Sequence, residues 1–175
     1  MTALEAYELI TQGGATDFAR VIEACESFGP YSLIGGLAVN CFVEPVYTLD
    51  AHLVVVASSL SKLSARLHEQ GFRTEEHPHS VNALSPGSEL RIQFTPDARY
   101  QAFLARSIVA VVLGIHVRVA CLEDIAQGKL SAYSDPRRRL SKRKKDELDL
   151  IRLAEAYPDL RSMYPQELQE QLDRG

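Results

Sequence analysis

The stretch YSLIGGLAVNCFVEPVYTLDAHLVVV, Tyr31 to Val56, decides how the chain is read. Tyr31 to Ile34 reads as a short strand that stops at Gly35-Gly36. Leu37 to Val43 reads as a short helix closed before Pro45. Asp50 to Ala57 is a second strand, β-branched-rich and apolar on both faces, as a central strand is. Glycines let a backbone approach a ligand closely, and a following helix points N–H groups at it. Side chains alternate along a strand, so Asp50 and His52 share one face. Two carboxylates at those positions would hold a divalent ion against nucleotide phosphates.

The rest of the chain is built outward from this segment. Upstream, Thr16 or Asp17 caps a helix that carries Phe18, Val21, Ile22, Cys25 and Phe28 on one face and ends at Gly29-Pro30. Downstream, Ser59 caps a helix with Leu60, Leu63 and Leu67, stopped by Gly71. Phe72 to Glu75, Val81 to Leu84 and Leu90 to Phe94 read as strands, with loops at EHPHS and SPGS. Ala98 to Arg106 reads as a short helix, and Ile108 to Cys121 as a hairpin about Gly114. The remainder is helical: Leu122 to Tyr133, then Ser141 to Tyr157 with Leu150, Leu153, Ala154 and Tyr157 on one face, then a short helix after Pro165. The expected architecture is one α+β domain over residues 1–175. A small mixed sheet flanked by helices fills about 1–121, and a helical part fills about 122–175.

Composition agrees. The 175 residues are 46% hydrophobic and 24% charged, which excludes wholesale disorder. No apolar run approaches the ~18 residues of a membrane span. The start, MTALEAYELITQGG, lacks the basic flank and apolar centre of a secretory leader. Cys25, Cys41 and Cys121 are odd in number, widely spaced and set in apolar runs, so they read as buried thiols of a reducing cytoplasm. His77 and His79 read as a surface loop. Net charge is −4, but RRRLSKRKK, Arg137 to Lys145, holds seven of the 19 bases and no acid. The other 12 bases face 23 acids, so an acidic body carries one basic block. Such a block meets a nucleic acid or a nucleotide phosphate, or it is a solvated helix start.

Taken together, these motifs resemble the nucleotidyltransferase superfamily, and within it the minimal AbiEii-like nucleotidyltransferases of toxin–antitoxin and phage-defence systems. The likeness spans about residues 30 to 157. Gly35 and Gly36 match the family's turn, and Asp50 matches the first acid of its Asp-x-Asp. Lys129 matches a helical lysine, and Lys145, Asp146 and Asp149 match a later Lys-Asp-x-x-Asp pattern. The resemblance implies a nucleoside triphosphate as substrate, Mg²⁺ or Mn²⁺ as cofactor, and Lys129 or Lys145 on the triphosphate.

The departures bear on activity. His52 stands where the second acid belongs, and ELRIQF offers Arg91 and Gln93 where the third acid is expected, Gln93 being the equivalent. Neutral imidazole is a poor magnesium ligand and an amide offers only a carbonyl. Glu89 and Asp97 are the acids at either end of that strand. Arg91 reads either as a phosphate contact or as the partner of Asp50. Lys142 with Asp146 and Lys145 with Asp149 read as i,i+4 pairs.

Three functions follow. In one, Asp50 and His52 hold the metal and the chain moves a nucleoside monophosphate onto a hydroxyl of RNA, a tRNA end or a protein. In the second, the chemistry is gone and the fold binds a nucleotide, an RNA along Arg137–Lys145, or a cognate partner protein. In the third, the chain is a structural, partner-binding subunit with no ligand.

Overall fold

A computed structural model describes residues 1–175. Its centre is a seven-stranded mixed sheet in the order β3-β4-β5-β2-β1-β7-β6. β1 (Tyr31–Ile34) and β2 (Asp50–Val55) form the antiparallel middle pair. β5 (Arg91–Thr95) runs parallel to β2, and β3 (Arg73–His77) and β4 (Ser80–Leu84) complete that side. On the other side the hairpin of β6 (Ile108–Val112) and β7 (Ile115–Val119) joins β1 through β7.

The middle strands carry the core because both their faces are covered. In β2 the residues Ala51, Leu53, Val54 and Val55 are all buried, as the continuous apolar run requires. α2 (Gly14–Phe28) contributes Phe18, Val21, Ile22 and Cys25, the stripe expected from its spacing. α4 (Leu60–Glu69) adds Leu63 and Leu67. The helical end of the chain packs in: α5 (Leu122–Ser134) gives Ile125 and Ala126, and α6 (Leu140–Ala156) gives Leu150, Leu153 and Ala154. All of these side chains except Val54 belong to one contiguous core. α7 (Gln166–Arg174) closes the chain with Leu168. No helix is long and apolar enough to cross a membrane.

Several local expectations change. A helix precedes the first one expected: α1 (Ala3–Ile10), opened by a reciprocal Thr2–Glu5 capping box. α2 begins at Gly14, not at Thr16, because the Glu8 carboxylate of α1 reaches over to accept from the Ala15 and Thr16 amides. Ser59 stands at the N-cap position of α4, but its side chain makes no cap hydrogen bond there. It ends a single 3-10 turn, Ala57–Ser59, and its hydroxyl donates to the Phe28 carbonyl at 2.9 Å. EHPHS is mostly strand, with the turn confined to Pro78 and His79. Cys25 is buried, whereas Cys41 and Cys121 are only partly so, and all three thiols are free.

Leu33 lies on β1 with no exposure. Leu33→Ala is expected to cost about 2–5 kcal/mol, transfer plus cavity. Urea denaturation should show a lower midpoint with an unchanged slope. A loss under about 1 kcal/mol would contradict the central placement of this strand.

Candidate functional site

The end of β1 turns sharply at Gly35, whose φ of +77° is one that side chains resist. A Cβ there would also stand 3.1 Å from Nδ1 of His52, so the glycine admits the imidazole beneath the turn. Gly36 has ordinary backbone and opens α3 (Gly36–Val39). The loop that follows is stapled by Asn40, whose amide donates to the Val46 carbonyl at 2.8 Å and accepts from the Val46 N–H at 3.0 Å. Tyr7 of α1 donates to the Thr48 carbonyl at 3.1 Å, and the Thr48 hydroxyl accepts from the Asp50 amide at 3.3 Å. These contacts fix where β2 begins.

Asp50 is the first residue of β2, opposite Arg91 in the parallel register, with His52 opposite Gln93. The register puts Arg91 Nε 2.7 Å from Oδ1 of Asp50. From the other side, Lys142 of α6 donates from Nζ to Oδ2 at 3.0 Å. Burial pushes the Asp50 carboxyl up, but the Lys142 hydrogen bond and the charges of Lys142 and Arg91 outweigh it and hold the acid below its usual range. His52, two residues on, is pushed from 6.5 down to about 4, mainly by burial and further by Lys129, Arg138 and Lys142, against the pull of Asp50. It is neutral at neutral pH.

Lys129 of α5 is 11% exposed at its side chain and sits between two carboxylates of α6. Its Nζ lies 3.0 Å from Asp146 Oδ1 and 2.6 Å from Asp149 Oδ2. Asp146 also accepts from Arg138 at 2.6 Å, and Asp149 from Arg152 at 2.9 Å. Arg152 reaches on to the Glu44 carbonyl beside the stapled loop. The expected i,i+4 pairs therefore do not form. Lys142 leaves its own helix for Asp50, and Asp146 and Asp149 turn to Lys129, because tertiary partners in a half-buried cleft hold the acids better than a solvated helix face does. The basic block is largely consumed by such contacts. Arg137, Arg138, Lys142 and Lys144 meet carboxylates and Arg143 meets the Tyr133 carbonyl, leaving Arg139 and Lys145 without either.

Gly35, Gly36, Asp50, His52 and Gln93 line one cavity of about 280 Å³. Lys129, Lys145, Asp146 and Asp149 line the same cavity from the helical side. Arg91 stands outside its wall and touches it through Asp50. Sequence reasoning missed Lys142, Arg138 and Arg152 as members of this network. Lys142 is one helical turn before Asp146, which puts it on the cavity side of α6. That spacing was the available signal.

The donor set does not fit a divalent ion. No group of three or more histidine, cysteine or acidic side chains converges anywhere in the structure. Every acid lining the cavity is already held by a base. Asp97 is bound by the Arg99 guanidinium and caps its backbone, and Asp124 pairs with Arg106. Gln93 donates to the Ser80 hydroxyl at 3.2 Å, and Glu89 is exposed outside the cavity. Neither end of β5 supplies a replacement carboxylate.

No protein-family model matches the chain, and no curated protein matches it in sequence. Its fold is similar to that of solved nucleotidyltransferases. The antibiotic-resistance factor ANT(2'')-Ia superposes with a TM-score of 0.59 at 16% identity, covering 92% of this chain and 97% of that one. The lincosamide antibiotic adenylyltransferase LnuA gives 0.55 at 12% identity over 80% and 96% of the two chains. An antigenic nucleotidyltransferase-like protein from Paracoccidioides brasiliensis gives 0.54 at 20% identity over 92% and 86%. The α+β fold is therefore that of the nucleotidyltransferases.

Two predictions follow from the charge network. Asp146 is 3% exposed between Lys129 and Arg138, so Asp146→Ala should cost about 3 kcal/mol by uncovering them. Lys144→Ala, which breaks an exposed pair with Glu147, should leave the denaturation midpoint almost unmoved. Equal losses would contradict this partition. The second concerns His52. The folded imidazole takes its proton near pH 4 and the unfolded one near 6.5. The unfolded chain binds more protons in that window, so this contribution is complete above about 6.5 and falls away toward 4, by at most about 3 kcal/mol. His52→Gln should flatten that part of the stability–pH curve, and an unchanged slope would contradict the assignment.

Proposed function

We propose that this chain is a nucleotide-binding protein on the nucleotidyltransferase fold, with a cleft that takes a nucleoside triphosphate and is not equipped for metal-assisted transfer. The observation that carries the reading is Asp50. It is the single acid left of the expected three, and a fixed cation stands on each of its oxygens. Two-metal transfer needs several carboxylates to hold the ions and offset their charge. His52, neutral and set against the Gly35 turn, supplies none of that charge.

Three features support a nucleotide as the ligand. The fold is shared with LnuA, named as an adenylyltransferase, and with ANT(2'')-Ia, solved in complex with adenylyl-2''-tobramycin. The cavity is close in size to ordinary small-ligand sites, which start near ~300 Å³. Lys145 lines it with no carboxylate partner, so its charge is free for phosphate, while Lys129 is committed to Asp146 and Asp149. The internal use of Arg137–Lys145 favours a ligand in the cleft over RNA along that block. A toxin role of the AbiEii-like kind, or transfer to RNA or protein, would need the chemistry that Asp50 alone cannot provide.

Thermal unfolding with each of the four nucleoside triphosphates tests the reading. A ligand at a hundredfold excess over its Kd should add about 2.7 kcal/mol of stability. Lys145→Ala should diminish the response, and no labelled nucleoside monophosphate should pass to RNA or protein with Mg²⁺ or Mn²⁺. Absence of any shift would overturn the binding reading. Transfer lost in Asp50→Ala would restore the enzyme.

A further inference from the structure

The cleft's mismatch to a divalent ion has a constructive side. Lys142 Nζ stands 3.0 Å from Asp50 Oδ2 and Arg91 Nε 2.7 Å from Oδ1, so the positions around this carboxylate are filled by covalently fixed positive charge. The triad carries a net charge of +1, and Lys145 adds another in the same cavity. Lys142 and Arg91 come from different elements, α6 and β5, and both are held by Asp50 without being hidden. Their side chains are 35% and 57% exposed, and each keeps N–H donors beyond the one spent on Asp50.

We propose that the site binds its polyphosphate ligand as the free anion, with Lys142 and Arg91 supplying the charge that a metal ion would otherwise supply. This rests on the reading that the cleft takes a nucleoside triphosphate. A metal-bound triphosphate has had part of its charge neutralised and carries a hydrated cation that would meet Lys142 and Arg91 head on. The free anion meets the Lys142 ammonium on the cavity wall and, at the cavity's edge beside Asp50, the Arg91 guanidinium, with Asp50 holding the two apart. Asp50 is thus a positioning residue, not a metal ligand. A lysine in this role is a compact point charge, and an arginine on the neighbouring strand is a planar fork. The pair suits adjacent phosphate oxygens.

The test is equilibrium binding of inorganic triphosphate and of ATP, GTP, CTP and UTP, each in excess EDTA and in excess Mg²⁺. The proposal expects at least one probe to bind in EDTA as tightly as in Mg²⁺, or more tightly. Lys142→Met should weaken the EDTA affinity by about tenfold or more, the size of one lost charge-assisted contact. Thermal melting checks that the variant is folded, and the wild-type comparison stands without it. Asp50→Asn, which removes the tether but no cation, should weaken binding and leave it metal-independent. Affinity that appears only with Mg²⁺ and vanishes in EDTA would overturn the proposal while leaving nucleotide binding intact. No binding of any probe in either condition would overturn the nucleotide reading itself.

Discussion

The carboxylate of Asp50 ties together three parts of the molecule that are far apart in sequence. It opens β2, the central strand of the sheet, and faces Arg91 across the parallel register to β5. Lys142 reaches it from α6, 92 residues away along the chain. Sheet and helical part meet at this point, and the cavity is the space left between them. The pair is worth having only because the cleft is partly dry. On open surface such ion pairs contribute little, whereas loss of one partner from a shielded pair leaves a stranded charge. The same arrangement recurs one layer deeper, where Lys129 joins Asp146 and Asp149, and Arg138 and Arg152 complete the acids' coordination.

These two clusters account for the site's chemical character. A metal centre gathers negative charge and lets an ion supply the positive. Here each carboxylate is answered by a base in the protein itself. Three contacts make up this arrangement: an imidazole at position 52 lies against the glycine turn, an amide at position 93 is engaged with Ser80, and a lysine comes in from α6. Burial keeps His52 uncharged, and the cations around it would oppose its protonation in any case. The result is a cleft on the nucleotidyltransferase fold in which every lining acid is paired with a base.

Much of this was legible in the sequence, for identifiable reasons. The strands from Tyr31, Asp50 and Arg91 announce themselves because a buried strand must be apolar and β-branched, and Gly35, Gly71 and Gly114 mark turns with positive φ. The site residues converge because an acid, a glycine turn and two lysine-bearing helices were placed on the right elements. What escaped was long-range pairing. A spacing of four predicts Lys142–Asp146, but only the packing of α6 over β2 shows that Asp50 is nearer. The helix at Ala3–Ile10 was readable from its Thr2–Glu5 capping box. The true start of α2 was not, because its cap is a side chain from another helix.

Asp50 pairs with Arg91 and Lys142, and its proposed role leaves no place for a metal ion. Nitrogen-15 NMR of the wild-type chain titrated with Mn²⁺ examines this role directly, since a bound paramagnetic ion broadens the amides around its site. The Asp50, Ala51 and His52 amides should keep their intensity, with any losses scattered over exposed acids. Selective loss of signal centred on Asp50, removed by Asp50→Asn, would contradict that role.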